Sequence, residues 1–385
     1  MPRVNYRVLG GLAASAVLLG VGLGLAILRT GVSAPGGGDF IERVADPRVG
    51  DPVAPRVGAP NIVLVIGCTV RKDQTSLYGE VSGTTPFLEE LAATGVAFDD
   101  VIAAAPWTKA ASSAILTGNH PLSIGMVEPK GGRNDRRLPP SVDTLAVHLR
   151  RAGYRTIGAT ANPNLNAIFG FSRGFDEYIQ LEKLWREDMA KLEGTDVLRL
   201  LAASIKPADP EQPTFLQVML VDAHAPFEPE PGALVQFADP SLPAIVVEYR
   251  AALLGLDSVV RSLHSQLGEL GYDATNTLFV MVSDHGEGLE FPETHGKAHG
   301  RFLFPTSVGA VWLMSGPGIP AGLKVGGVAS QVDVLPTLLG LAEVDGYRGP
   351  GLDLSRRIRM GATDTQRAMA FTDTWFINVN RAAVY

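Results

Sequence analysis

Two continuous apolar runs of strand length constrain the fold of this chain more than any other feature. Ile62-Val63-Leu64-Val65-Ile66 and Thr277-Leu278-Phe279-Val280-Met281 show no polar alternation, the pattern of strands buried on both faces. Such strands need helices above and below them. Further apolar runs at Arg155–Thr160, Thr214–Val221 and Gly309–Met314 read as strands too. Between them, helices are expected from Thr85-Pro86 through Leu88, Leu91 and Ala92, over Ser141–Ala152, over Tyr249–Leu270, and over Val332–Leu341 despite Pro336. Gly95, Gly153 and Gly271 supply the stops. Strands alternating with helices predict an α/β fold whose central sheet is mostly parallel and covered on both sides.

The chain has 385 residues, 46% hydrophobic and 19% charged, which implies a large core rather than disorder. Its net charge of −7 argues against nucleic acid as a partner, so any anion site must be built locally. Cys68 is the single cysteine and excludes an internal disulfide.

Residues 8–28, VLGGLAASAVLLGVGLGLAIL, carry no charge, with Arg3 and Arg7 before them and Arg29 after. A signal-peptide apolar region runs roughly 7–15 residues, whereas about 20 span a bilayer. The reading is a signal anchor within residues 1–30, N-terminus inside, with residues 8–28 in the membrane. That places a single-pass protein in the inner or plasma membrane, its remainder outside the cytoplasm. A buried core helix is the alternative. Residues 31–60, rich in Pro and Gly from Ala34-Pro35-Gly36 to Ala59-Pro60, read as a linker. The α/β domain is assigned to 61–345 and the start of a short C-terminal subdomain to 346–385.

The run from Thr277 ends in Val282-Ser283-Asp284-His285-Gly286-Glu287. A carboxylate and an imidazole released together at the end of a parallel strand suit a divalent ion, in the place where open α/β sheets keep their chemistry. His295 and His299 follow, so three of the seven histidines fall in one short stretch. Other strand ends offer Gly67-Cys68-Thr69, Ala105-Pro106-Trp107-Thr108 and Asp222-Ala223-His224. All converge on one predicted sheet edge.

In order and wording these segments resemble the sulfatase family of the alkaline phosphatase superfamily. The resemblance runs from about Pro60 to the end. It includes Asn61 through Gly79, Thr85-Pro86-Phe87-Leu88, Ala105 through Gly118 and Leu145 through Arg155. Gly170 through Asp176, Ser283 through Glu287, Gly316 through Pro320 and Val332 through Thr337 complete it. It implies a three-layer α/β/α sandwich and a divalent ion, held by Asp at the first strand end and by a late Asp-His or Asp-Asn pair. Asp284 and His285 match the late pair. The family nucleophile opens a Cys/Ser-x-Pro-x-Arg pentapeptide as formylglycine. Here that pentapeptide is Thr108-Lys109-Ala110-Ala111-Ser112. No formylglycine is expected, because the β-methyl of Thr108 blocks the aldehyde. A threonine nucleophile activated by metal remains sound and is used by relatives that transfer phosphoethanolamine or glycerophosphate. Thr108 also suits a helix N-cap.

Cys68 stands where the family writes its first Asp. As a thiolate it could join Asp284, His285 and Thr108 around zinc or manganese rather than calcium; as a small apolar residue it would leave the ion site damaged. By resemblance His224 would serve the leaving group, and His299 with Lys297 would hold the ester's non-bridging oxygens. His295 receives no role. Asp73 and Arg71 read as capping and solvating a turn, and Trp107 as packing. Three functions fit this pattern. The leading one is a metal-dependent hydrolase of sulfuric or phosphoric esters, acting on an anionic glycan, lipid or small molecule. The others are a phospho-group transferase and a non-catalytic relative binding an anion or a protein.

Overall fold

The computed structural model describes residues 26–28, 41–46, 52–79, 81–127, 135–181, 191–289, 299–376 and 379–385. The strands of the main sheet are β1 (Ala26–Leu28), β2 (Ile41–Ala45), β3 (Asn61–Gly67), β4 (Val96–Ile102), β5 (Arg155–Thr160) and β6 (Glu177–Leu181). They continue with β7 (Thr214–Leu220), β8 (Thr277–Ser283), β9 (Gly309–Ala310), β10 (Trp312–Ser315) and β11 (Leu323–Ser330). Their order is β1-β2-β6-β5-β7-β3-β8-β10-β4-β11, with β9 beside β4. Only β2, β9 and β10 run against the others. The sheet is therefore mostly parallel. β3, β7 and β8 are buried at every position, as their unbroken apolar runs predict.

The helices are α1 (Pro86–Ala93), α2 (Thr108–Thr117), α3 (Leu145–Arg151), α4 (Gly194–Leu201) and α5 (Pro231–Gln236). After them come α6 (Ala244–Glu269), α7 (Pro305–Val308), α8 (Val334–Ala342) and α9 (Ser355–Arg359). α1, α4 and α5 pack against α6, whereas α2, α3, α8 and α9 pack among themselves. These two separate helical groups cover a sheet whose middle is buried on both sides. Pro336 fits within α8 because it is the third helical residue, where a backbone N–H would have no intrahelical partner anyway.

Three expectations change. The run Gly309–Met314 is not one strand: it divides into β9 and β10, and β10 inserts antiparallel between β8 and β4. An apolar run records burial but not direction. Within the stretch read as linker, Ile41–Ala45 instead forms β2 on β6. Its Val44 is buried, and Arg43 pairs with Glu177 and Ser204. Of the apolar N-terminal run, residues 8–25 lie outside the described residues, and Ala26–Leu28 is a strand on β2 rather than helix. Among the described residues no helix is long and apolar enough to cross a membrane. At the C-terminus β12 (Phe371–Phe376) and β13 (Val379–Val384) form a separate hairpin.

Candidate active site

β3 and β8 are parallel neighbours with Gly67 opposite Ser283, so Cys68 and Asp284 leave the sheet side by side. The ladder extends one step further, with Cys68 N donating to Leu220 O (2.9 Å) and Asp284 N to Gly67 O (3.1 Å). Thr69 then takes φ +56°, a left-handed conformation that costs a β-branched residue on the order of 1–2 kcal/mol. Contacts on every side hold it there. Its N–H donates to Asp284 Oδ1 (2.9 Å), its hydroxyl donates to Ala223 O (2.9 Å), and its carbonyl accepts from Tyr249 Oη (2.6 Å). Gln331 completes the frame. Its amide donates to Ser283 O (2.8 Å) and Asp284 O (2.6 Å), and its Oε1 accepts from Ala104 N (2.9 Å), tying the end of β8 to the loop before Thr108.

The cap reading of Thr108 is not what the structure shows. Trp107 holds the N-cap position of α2 and Thr108 is its first residue. The Thr108 hydroxyl points instead to Cys68 Sγ (3.5 Å) and His285 Nε2 (3.3 Å). Cys68, Asp284 and His285 are fully buried, and one ligand atom from each lies within 4.8 Å of the others. His285 Nδ1 donates to Gly286 O (2.8 Å), which leaves Nε2 unprotonated and able to bind a metal. Burial first, then the nearby His299, lowers the His285 pKa well below its ordinary value. Asp284 Oδ2 is buried without a hydrogen-bond partner and stands 3.4 Å from His285 Nε2.

These observations test whether the residues suit a metal ion. Bonds of ~2.0 Å to oxygen and nitrogen and ~2.3 Å to sulfur around a tetrahedral zinc put neighbouring donors about 3.3–3.5 Å apart. The three separations just given have that length. The chemistry agrees, since burial, then Asp284, pushes the Cys68 thiol well up, and burial pushes the Asp284 carboxyl up to about 6. Two acids buried together are at ease as anions only beside a cation. The donor set fits a borderline divalent ion, with Cys68 in reach as its sulfur.

Around this set stand two more predicted residues. The His299 ring lies 4.7 Å from that of His285 and 5.4 Å from that of His224. His299 Nδ1 meets Glu287 Oε2 at 3.1 Å. Burial works against charge on both partners, yet each outweighs it for the other: His299 is raised, and Glu287 is lowered to about 2. The pair is partly buried, and each partner favours the charged form of the other. His224 is lowered by burial, then by His299. Lys297 and His295 lie outside the described residues. Trp107 is buried with Ala105 and Ala110, as packing predicts. Arg71 is not a solvated turn residue: it is buried, bound to Asp73 Oδ1 (2.7 Å) and donating to Glu287 O (3.3 Å).

Sequence reasoning gave no site role to Glu287, Asn162, Gln331 or Lys191. Glu287 was within reach, two residues from His285 in the same motif. Asn162 donates to Cys68 Sγ (3.4 Å), its orientation fixed because its Oδ1 accepts from Asn164 N (2.9 Å). Nothing in a short Asn-Pro-Asn stretch announces a partner 94 residues away.

A buried sulfur, oxygen and nitrogen donor set with a threonine hydroxyl among it thus stands at the carboxyl edge of a mostly parallel, helix-covered sheet. The Sulfatase family model matches residues 60–344, and the chain belongs to that family. It is 25% identical over 344 residues to the Ulvan-active sulfatase of Formosa agariphila, covering 78% of this chain and 65% of that one. With Arylsulfatase A of Bos taurus it shares 26% identity over 353 residues, 77% of this chain and 67% of that one. It thus spans about two thirds of the length of these curated relatives. Among solved structures, Ps i-CgsB superposes with a TM-score of 0.68 at 17% identity, over 85% of this chain and 82% of that one. The phosphonate monoester hydrolase SpPMH of Silicibacter pomeroyi gives 0.63 at 16% identity, over 82% and 79%. These likenesses show the shared fold.

Proposed function

We propose that this protein is a metal-dependent hydrolase of sulfuric or phosphoric esters that uses Thr108 itself, not formylglycine, as nucleophile. The observation that carries this reading is the Thr108 hydroxyl, at 3.5 Å from Cys68 Sγ and 3.3 Å from His285 Nε2, inside a buried donor set that suits a divalent ion. Cys68, Asp284, His285 and Thr108 would hold the ion, zinc or manganese in preference to calcium because of the sulfur. When bound, that ion supplies Lewis acidity and favours the Thr108 alkoxide at neutral pH.

The residues then divide the work. Thr108 Oγ1, its proton lost to solvent, attacks sulfur or phosphorus. One bond forms to Oγ1 as the bond to the leaving oxygen breaks. That oxygen keeps the electron pair and takes a proton from Nε2 of the His224 imidazolium, whose Nδ1–H stays on Ala225 O. His299, kept charged by Glu287, holds a non-bridging oxygen, with Lys297 proposed beside it. Water, giving a proton to His224 Nε2, then bonds to sulfur or phosphorus as the bond to Oγ1 breaks; Oγ1 keeps the electron pair and regains its proton from solvent. The substrate is an anionic ester on a glycan, lipid or small molecule. Residues 8–25 are proposed to anchor the chain in the inner or plasma membrane, near the lower limit of ~17 residues for a span, with the α/β domain outside the cytoplasm.

The test uses full-length, detergent-solubilised protein with 4-nitrophenyl sulfate and 4-nitrophenyl phosphate. Metal-dependent turnover of one of them is expected, together with a covalent ester on Thr108 in acid-quenched samples. Thr108→Ala should lose ~10²–10⁴ of the rate. Turnover unaffected by that change, or a label on another residue, would sink the nucleophile assignment. For the anchor, a reporter fused after Tyr385 should be active only outside the cytoplasm; activity inside would overturn the topology.

A further inference from the structure

Lys191 makes a contact set that the reaction scheme above leaves unused. Its Nζ donates to three carbonyls of one loop: Asp222 O (2.7 Å), His224 O (2.8 Å) and Pro226 O (3.4 Å). An ammonium has three N–H donors and no acceptor, so this loop takes all three. Three residues on, Gly194 N donates to Asp222 Oδ1 (2.9 Å). The approach there is close. A Cβ at Gly194 would lie 2.6 Å from Val259 Cγ1 and 2.8 Å from Asp222 Oδ2. Residues 191–194 therefore clasp the Asp222–Pro226 loop from both sides, its carbonyls by Lys191 and its carboxylate by Gly194.

That loop carries His224 and has little structure of its own. It leaves β7 with a turn bond from His224 N to Val221 O (2.9 Å). His224 Nδ1 donates to Ala225 O (2.5 Å), which commits that nitrogen to the backbone and leaves Nε2 for chemistry. The carbonyls of residues 222, 224 and 226 bracket the imidazole along the chain. Holding all three on one ammonium fixes where the ring starts from.

We propose that Lys191 is a positioning residue, which with Gly194 clasps the Asp222–Pro226 loop so that His224 Nε2 meets the leaving oxygen of the ester. This rests on the role given to His224 under the proposed function. The step it serves is proton transfer from Nε2 to the leaving oxygen as that oxygen's bond to sulfur or phosphorus breaks, the electron pair staying on oxygen.

Full-length protein decides this with Lys191→Met, which keeps the stem and removes the donors, and Lys191→Arg, which keeps donors. Each is assayed on a 4-nitrophenyl ester, whose phenolate leaves without a proton, and on an alkyl ester of the same acid. Lys191→Met should slow the alkyl ester ~10–10²-fold while changing the 4-nitrophenyl ester less than about threefold, and Lys191→Arg should recover most of the loss. Equal slowing of both esters overturns the proposal. A second measurement is independent of turnover: nitrogen-15 spectra of histidine-labelled protein. In Lys191→Met the His224 ring signals should shift while those of His148 and His264 stay. Unmoved His224 signals overturn the clasp. Wild-type protein that hydrolyses neither ester would overturn the proposed function while the spectra still judge the clasp.

Discussion

Cys68 is the residue on which this site turns. An Asp at the first strand end would add a hard oxygen, suited to magnesium or calcium; Cys68 adds a soft one-atom donor at the same place. Asn162 supports it, with an amide N–H aimed at the sulfur. Protein purified without added metal should carry about one zinc or manganese per chain by plasma mass spectrometry. Cys68→Ala should weaken that affinity by an order of magnitude or more. Cys68→Asp should keep an ion but move the preference towards magnesium or calcium. Calcium in the wild type, unchanged in Cys68→Ala, would mean that the sulfur is not a ligand. At this scale the sequence was legible where a motif sits in one segment: Asp284, His285 and Thr108 could be named from their neighbours. What it left open was whether Cys68 belongs with them, because a lone cysteine in an apolar stretch looks the same as core or as ligand. In the structure Cys68 Sγ lies 3.5 Å from Thr108 Oγ1 and 3.4 Å from Asn162 Nδ2, and the metal measurement above tests which reading holds.

Among the elements, α1 shows how one helix completes another. Thr85 at its N-cap makes no side-chain cap bond. Two of its first N–H groups are met instead from α6, with Asp257 Oδ2 accepting from Phe87 N (2.9 Å) and Oδ1 from Leu88 N (3.0 Å). Removing this cap in Asp257→Ala should cost about 1–3 kcal/mol in urea unfolding. The carboxyl also makes stability depend on pH. Burial pushes Asp257 up to about 6, against the two backbone bonds, so the fold favours the protonated form. Its contribution is full below the ordinary carboxylate range near 4 and is lost as pH rises through 6, at most about 3 kcal/mol. Asp257→Asn should flatten that slope between pH 4 and 7; an unchanged slope would assign it elsewhere. Elements were legible in proportion to their local signal. The unbroken apolar runs of β3 and β8 and the long amphipathic α6 declared themselves. β4 did not, because Asp99 and Asp100 interrupt it and lie exposed. β11 was hidden by Gly326 and Gly327, where its register on β4 shifts.

At the scale of the whole molecule, the C-terminal hairpin reaches the two loops that carry Thr108 and His299. Asp373 N donates to Ala104 O (3.1 Å), four residues before Thr108. Thr374 Oγ1 donates to Gly300 O, next to His299. Tyr385 closes the hairpin onto Ala370 (2.8 and 2.9 Å) and its hydroxyl donates to Leu303 O. The hairpin thus ties both loops, and Gln331 holds the first of them as well. Deleting residues 371–385 should therefore lower the melting temperature by several degrees and reduce ester turnover at least tenfold. Thr374→Val keeps the shape and removes one donor, so it isolates the Gly300 contact. It should cost about 1 kcal/mol and, if His299 holds the ester as proposed, raise KM for the anionic ester more than it lowers kcat. Binding of the ester unchanged in Thr374→Val, in a protein that has lost the expected stability, would make the hairpin a support of the fold alone.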